Sequence, residues 1–215
     1  MKKVLLTTNS EFGQANVFLA AGHALLSLDS DVQVHYASFP ALSKPVSAAS
    51  DHAVRCSPKA HPFVFHPLDG LSMVDSFEAT DGLEAISKRP GLVNTPDYLR
   101  MTMKIVLPWT APQFLTIFRS LVQIIEEVAP DLVVVDALFG PGLTACEHLG
   151  VKHVLLSPNT IKDMAMAFQP GFAAFWKYPT QVTPLSSLPA PLYLLTHSHP
   201  QTEAARASHT PSPGP

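Results

Sequence analysis

The polar side chains that could do chemistry gather in two short stretches of the chain. The first is Ser10 to Asn16, SEFGQAN, lying between the apolar run Val4-Leu5-Leu6 and an apolar helical segment. The second is the end of DLVVVD, where Asp136 closes an unbroken β-branched run that starts at Asp131. A strand-to-helix loop at the carboxyl end of a parallel strand is where open α/β sheets hold ligands, so the 10–16 loop is a candidate site. A carboxylate at the same edge can orient a reacting group or a partner side chain. It can equally cap the turn that follows it, and both readings of Asp136 stay open on sequence. Asp131, at the other end of the same run, reads as a solvated turn residue.

The elements that must position these residues follow from periodicity. Val4 to Leu6 is a buried strand that Thr7, Thr8, Asn9 and Ser10 bring to a stop near Thr8, because short polar side chains compete for the backbone. Val17, Phe18, Ala21, Ala24, Leu25 and Leu28 recur at steps of three and four and predict one apolar helical face. Val32 to Ala37 alternates like a strand and completes a βαβ unit, whose right-handed crossover makes the two strands parallel neighbours. Residues 41–51 are compatible with a helix, and Pro62 to Pro67 frames a short third strand. Ala111 to Val128 carries Phe114, Ile117, Phe118, Leu121, Ile124, Ile125 and Val128 on one face, a long helix ended by Pro130. The Asp131–Asp136 run is a strand covered on both sides. Gly140-Pro141-Gly142 opens a helix that Gly150 caps, and Val151 to Ser157 is a fifth strand. The fold class is α/β, a Rossmann-like doubly wound parallel sheet with strand one central, strands two and three on one side and the fourth on the other.

Composition narrows the function. The 215 residues are 47% hydrophobic with a formal net charge of -3, enough to bury a core. No basic patch or run of like charge marks a nucleic-acid partner. Cys56 and Cys146 have no paired spacing for a disulfide framework or a zinc site, so we expect free thiols, no metal and a cytoplasmic, reducing compartment. The apolar run after Lys2-Lys3 is too short for a signal-peptide core. The Met164–Trp176 stretch is broken by Gln169-Pro170-Gly171 and reads as a helix pair, with a peripheral membrane contact as the lesser alternative. Residues 1–178 are expected to form the domain. Residues 179–215, rich in Pro, Ser and Thr, are expected to be a disordered tail, arising naturally or by truncation.

The stretches KKVLLTTNSEFGQANV and DLVVVDALFGPGLTACEHLGVKHVLLSPNT resemble the N-terminal, acceptor-binding domain of family 1 UDP-dependent glycosyltransferases. The resemblance spans Lys2 to Tyr178. It implies one half of a two-domain GT-B architecture, and transfer of a sugar from a UDP-sugar to a hydroxyl of a small apolar acceptor with inversion. In that family the first loop carries a Gly-His pair whose His is the base, oriented by an Asp ending the fourth strand. Gly13 and Asp136 match this pattern, while Gln14 stands at the His position. A neutral amide can orient a hydroxyl but cannot take its proton. His23 lies too far along the helix to substitute. His35 and His66 read as structural, with His66 on the correct edge, and His148 and His153 flank the far end of strand five.

Candidate acceptor contacts are Phe12, Gly13, Trp109 and Phe139, as walls of an apolar cleft, with Asn159 and Thr160 on the crevice side after strand five, although each aromatic reads more readily as core. The residues that grip UDP-sugar in the family belong to a C-terminal domain with no counterpart here, so no tightly bound cofactor is expected and donor use requires that domain. Asp136 and Gln14 remain the candidate catalytic pair. The competing reading is a non-catalytic module that binds an apolar ligand or a partner protein. A dinucleotide-binding role fits poorly, because the first loop has one glycine where the fingerprint needs three.

Overall fold

The computed structural model describes residues 1–28, 31–57, 59–79 and 107–159, all within one compact unit. The expected helices over 97–106 and 164–176, the boundary at 178, the tail over 179–215 and Thr160 lie outside them. The described elements run β1 (Lys2–Thr7), α1 (Phe12–Leu28), β2 (Val32–Ser38), a 3-10 turn (Pro40–Leu42), α2 (Ser43–Cys56), β3 (Val64–Pro67), α3 (Met73–Glu78), α4 (Ala111–Val128), β4 (Leu132–Asp136), α5 (Gly140–Leu149) and β5 (His153–Leu156).

The strands form one parallel sheet in the order β3-β2-β1-β4-β5. This is the expected doubly wound order, and the switch point falls between β1 and β4. Strand alternation divides the core in two. Leu5, Ala37, Val133 and Val135 pack with Ile117, Leu121, Ile125 and Val128 of α4 and with Ala145 and Cys146 of α5. Val4, Leu6, Val32, Val34 and Tyr36 pack with Ala15, Phe18 and Leu26 of α1 and Val46 and Ala53 of α2. Helices cover both faces, which is why β4 reads as a continuous apolar run.

One helical face differs from expectation. In α1 the buried residues are Gln14, Ala15, Phe18, Gly22 and Leu26, whereas Ala24 is exposed and Leu28 is 85% exposed. The helix approaches the sheet at Gly22, where a Cβ would sit 3.1 Å from Leu6 Cδ1 and 3.1 Å from Phe63 Cζ. The buried face thus runs through Gly22 and Leu26 in place of Ala24 and Leu28. Alanines distributed around α1 leave its apolar pattern without a single preferred face.

The remaining elements follow their sequence signals. Thr110 and Gln113 form a capping box at the start of α4, with the Thr110 amide donating to Gln113 Oε1 at 2.8 Å. The helix ends at Val128, and its C-cap Ala129, one residue before Pro130, is in the left-handed region with φ 46. Lys3 Nζ donates to the Val128 carbonyl at 2.9 Å, and the Lys3 amide donates to Asp131 Oδ2 at 2.8 Å. Asp131 thus stays exposed but fastens the start of β1 to the α4–β4 turn. β3 starts later than expected, at Val64, and closes at Pro67 as expected, while β5 is shorter at both ends, running His153–Leu156. Among the described residues no helix is long and apolar enough to cross a membrane.

Candidate active site

The carboxyl ends of β1 and β4 meet through side chains. Thr8 Oγ1 donates to Asp136 Oδ2 at 2.8 Å, and the Leu138 amide donates to Asp136 Oδ1 at 2.9 Å. Asp136 is fully buried. Burial raises its pKa, and these two hydrogen bonds pull it part of the way back. The Ser38 hydroxyl donates to the Thr8 carbonyl at 2.7 Å, which brings the end of β2 into the same rim. Asp136 therefore both caps its own turn and holds Thr8.

The loop between β1 and α1 rests on the start of α3. Asn9 Nδ2 points to Met73 Sδ at 3.7 Å, and the Val74 amide donates to Glu11 Oε1 at 3.1 Å. The Gln14 and Ala15 amides donate to the Glu11 carbonyl at 3.0 and 2.9 Å, so Glu11 stands at the N-cap of α1. Tyr36 fixes that first turn from below, its hydroxyl donating to the Ala15 carbonyl at 3.3 Å.

Three acceptor oxygens within six residues are left over. Asn9 Oδ1, Glu11 Oε2 and Gln14 Oε1 are buried and have no hydrogen-bond partner among the described residues. Leaving a buried acceptor unpaired costs roughly 1–3 kcal/mol, more for a charged one, and a donor reaching these oxygens would relieve that cost. Burial raises the Glu11 pKa most. Its own amide and that of Val74 lower it, while Asp75 and Asp136 raise it further by repulsion. A carboxylate pushed upward in this way is a better proton acceptor than a solvated one. Sequence reasoning marked the loop but passed over Glu11, because a single Glu in a polar loop has no motif to distinguish it.

The expected site residues divide into groups. Gln14 is buried in the first turn of α1 at the rim, and Asp136 is held by Thr8 and the Leu138 amide. Phe12 is 59% exposed, and a Cβ on Gly13 would meet nothing within 4 Å, so both face open space. Asn159 follows β5 on the carboxyl edge and is half-buried, its amide donating to Ser157 Oγ at 3.3 Å. Phe139 is fully buried and packs edge-on against Phe39 and Trp109 at 6.1 Å each. Its ring belongs to the core and offers no surface to an acceptor. Trp109 is also nearly buried, with Nε1 donating to the Leu71 carbonyl at 2.9 Å. Both aromatics thus belong to the core on the α4 side of the sheet, a division between lining and packing that sequence alone does not make. His66 is bonded to His35 at 2.9 Å, and His35 lies on the α4 face of the sheet.

Comparison with known proteins bears on the fold that carries this rim. VinC, a glycosyltransferase solved in complex with DTDP, superposes with a TM-score of 0.51 and 17% identity over 90% of this chain and 43% of that one. The chain shares its fold with a glycosyltransferase. In sequence it is 30% identical to the glycosyltransferase sdnJ of Sordaria araneosa over 99% of its own length. It spans 45% of that relative's length. No protein-family model matches. The chain is thus glycosyltransferase-like in both sequence and fold.

Proposed function

We propose that the chain is the acceptor-binding half of a GT-B glycosyltransferase of the UDP-glycosyltransferase type, working in the cytoplasm on a small, largely apolar acceptor. The observation that carries the reading is the cluster of unpaired acceptor oxygens at Asn9, Glu11 and Gln14, beside the β1–β4 switch point. An alcohol presented there supplies the missing donor. Free thiols at Cys56 and Cys146 suit a reducing compartment.

The chemistry follows from the side-chain types. Gln14 Oε1 accepts a hydrogen bond from a substrate hydroxyl and aims it, but has no basic site for the proton. Glu11 Oε2 takes that proton as the acceptor oxygen attacks the anomeric carbon of a nucleotide sugar. The new carbon–oxygen bond forms as the bond to the nucleoside diphosphate breaks, and the diphosphate departs with the electron pair. A single displacement of this kind inverts the anomeric centre. Asp136 touches neither substrate nor proton in this scheme. It holds Thr8 and the end of β1, while burial keeps Glu11 basic, with repulsion from Asp75 and Asp136 adding to it. In this reading a separate donor-binding domain holds the nucleotide sugar.

The test is acceptor titration by calorimetry on the chain itself. Nucleoside-diphosphate release is then measured with UDP- and dTDP-sugars, for the chain alone and for the chain joined to the donor-binding domain of a relative. We expect hydroxylated apolar compounds to bind the chain, and their deoxygenated analogues to bind more weakly. Release is expected only in the joined protein. Binding without release in any joined protein would leave a non-catalytic binding module and overturn the transfer reading.

A further inference from the structure

Away from the rim, the α1–α2 pair carries three side chains that nothing in the sugar-transfer reading uses. His23 projects from α1, and His52 and Cys56 from α2. We propose that these three residues form a binding site for a zinc-class transition-metal ion.

The geometry is close to that of a metal site. His52 and Cys56 are four residues apart and share one helical face. Cys56 Sγ lies 3.5 Å from His52 Nε2. With metal–nitrogen bonds of about 2.0–2.1 Å and metal–sulfur bonds of about 2.3 Å, tetrahedral ligands are about 3.6 Å apart for N and S and about 3.3 Å apart for two N. The α2 pair already spans one such edge. The His23 and His52 rings stack at 5.3 Å with an interplanar angle of 28°, and one ligand atom from each of the three residues lies within 4.8 Å of the others. Closing the set needs a side-chain movement of about 1 Å, which rotation of the exposed His52 ring supplies.

A second observation points to a ligand. His23 Nε2 is buried and has no hydrogen-bond partner among the described residues. A buried ring nitrogen without a partner is costly, and a metal ion aligned with Cys56 and His52 would satisfy it. Two imidazoles and a thiolate select zinc, or cobalt as its surrogate, over magnesium or calcium, which prefer oxygen. On binding, the Cys56 thiol gives its proton to solvent and the sulfur coordinates as thiolate. His52 and Cys56 are exposed, so water reaches the fourth position. The ion would clip α1 to α2 on one face of the sheet. This site was invisible in the sequence, because the two ligands on α2 meet the third only when the helices pack.

The test uses the full chain under reducing conditions, with Co(II) as the spectroscopic probe and zinc as its competitor. Because the chain has ten histidines, the background protein is the triple variant His23→Ala, His52→Ala, Cys56→Ser. We expect one equivalent of Co(II) with tetrahedral d–d bands and a thiolate-to-cobalt charge-transfer band. Cys56→Ser should abolish that band, and His23→Ala should weaken binding by roughly tenfold or more. Zinc should raise the Tm of the native chain and leave that of the triple variant unchanged. Affinity equal to the triple variant's, or a spectrum and affinity unchanged by His23→Ala, would overturn the site. Both results are independent of whether the rim transfers sugar.

Discussion

Acidification should destabilise this fold through one histidine pair. His35 is 7% exposed on β2, and its Nε2 lies 3.3 Å from Gln33 Oε1 while its Nδ1 lies 2.9 Å from His66 Nε2. The tautomer that satisfies both contacts has His35 Nε2–H donating to Gln33 and His66 Nε2–H donating to His35 Nδ1. Protonating His35 at Nδ1 would point two N–H groups at each other. Burial, then His66, then Lys3 on the neighbouring strand push the His35 pKa from 6.5 down to about 4. Burial also lowers His66, with Glu127 on α4 opposing it. Because the folded pKa lies below the unfolded one, the unfolded chain binds more protons between pH 6.5 and 4. The contribution is present in full above pH 6.5 and is lost as pH falls to 4.

At about 1.4 kcal/mol per pKa unit, His35 alone accounts for about 3 kcal/mol over that window. A domain stable by about 5–15 kcal/mol would feel this clearly. It corresponds to a Tm decrease of roughly 6–12 °C for a chain of this size. The assay is urea denaturation at several pH values between 7 and 4.5, on the native chain and on the His35→Gln, His66→Gln double variant. The raised carboxyls of Glu11 and Asp136 act in the opposite direction, but they are common to both proteins and cancel in the comparison. We expect the native chain to lose at least about 2 kcal/mol more than the variant. NMR titration of the His35 ring should place its pKa well below 6.5. Equal losses in the two proteins, or an ordinary His35 titration, would refute the reasoning.

Three further changes test the packing. Asp136→Ala leaves the Leu138 amide and the Thr8 hydroxyl without their acceptor in a fully buried position, so chemical denaturation should show a loss of about 2–4 kcal/mol. Gly22→Val places carbon against Leu6 and Phe63, and should cost about 1–3 kcal/mol in the same experiment. Ala129→Gly relieves a left-handed alanine at φ 46, and should raise stability by about 0.5–1 kcal/mol once glycine's own entropy is subtracted.

Much of the fold was legible because its signals are local. The β-branched run ending at Asp136, the stripe from Phe114 to Val128 and the Gly150 cap each name an element without help from the rest of the chain. Right-handed crossover makes the first two strands parallel neighbours, and the usual doubly wound order supplies the rest. The face of α1 was not legible, because the close approach at Gly22 is a contact with β1 and Phe63 that composition does not announce. The rim was located by topology, from the 10–16 loop and Asp136, but the division of labour within it was not. Glu11 became visible only through its burial, its bond to Val74 and its unpaired Oε2. Phe139 and Trp109 were candidates for both core and pocket wall, with core the readier reading, and their edge-on packing puts them in the core.

The most direct test of the account is the kinetics of Glu11→Gln in the chain joined to a donor-binding domain. The side chain keeps its shape and its bond to the Val74 amide but loses its basicity. The account predicts a kcat lower by about 10²–10⁴ with KM for the acceptor nearly unchanged. It also predicts loss of the acidic limb from the pH profile of kcat/KM. A kcat equal to that of the unsubstituted protein, with the same pH profile, would contradict it.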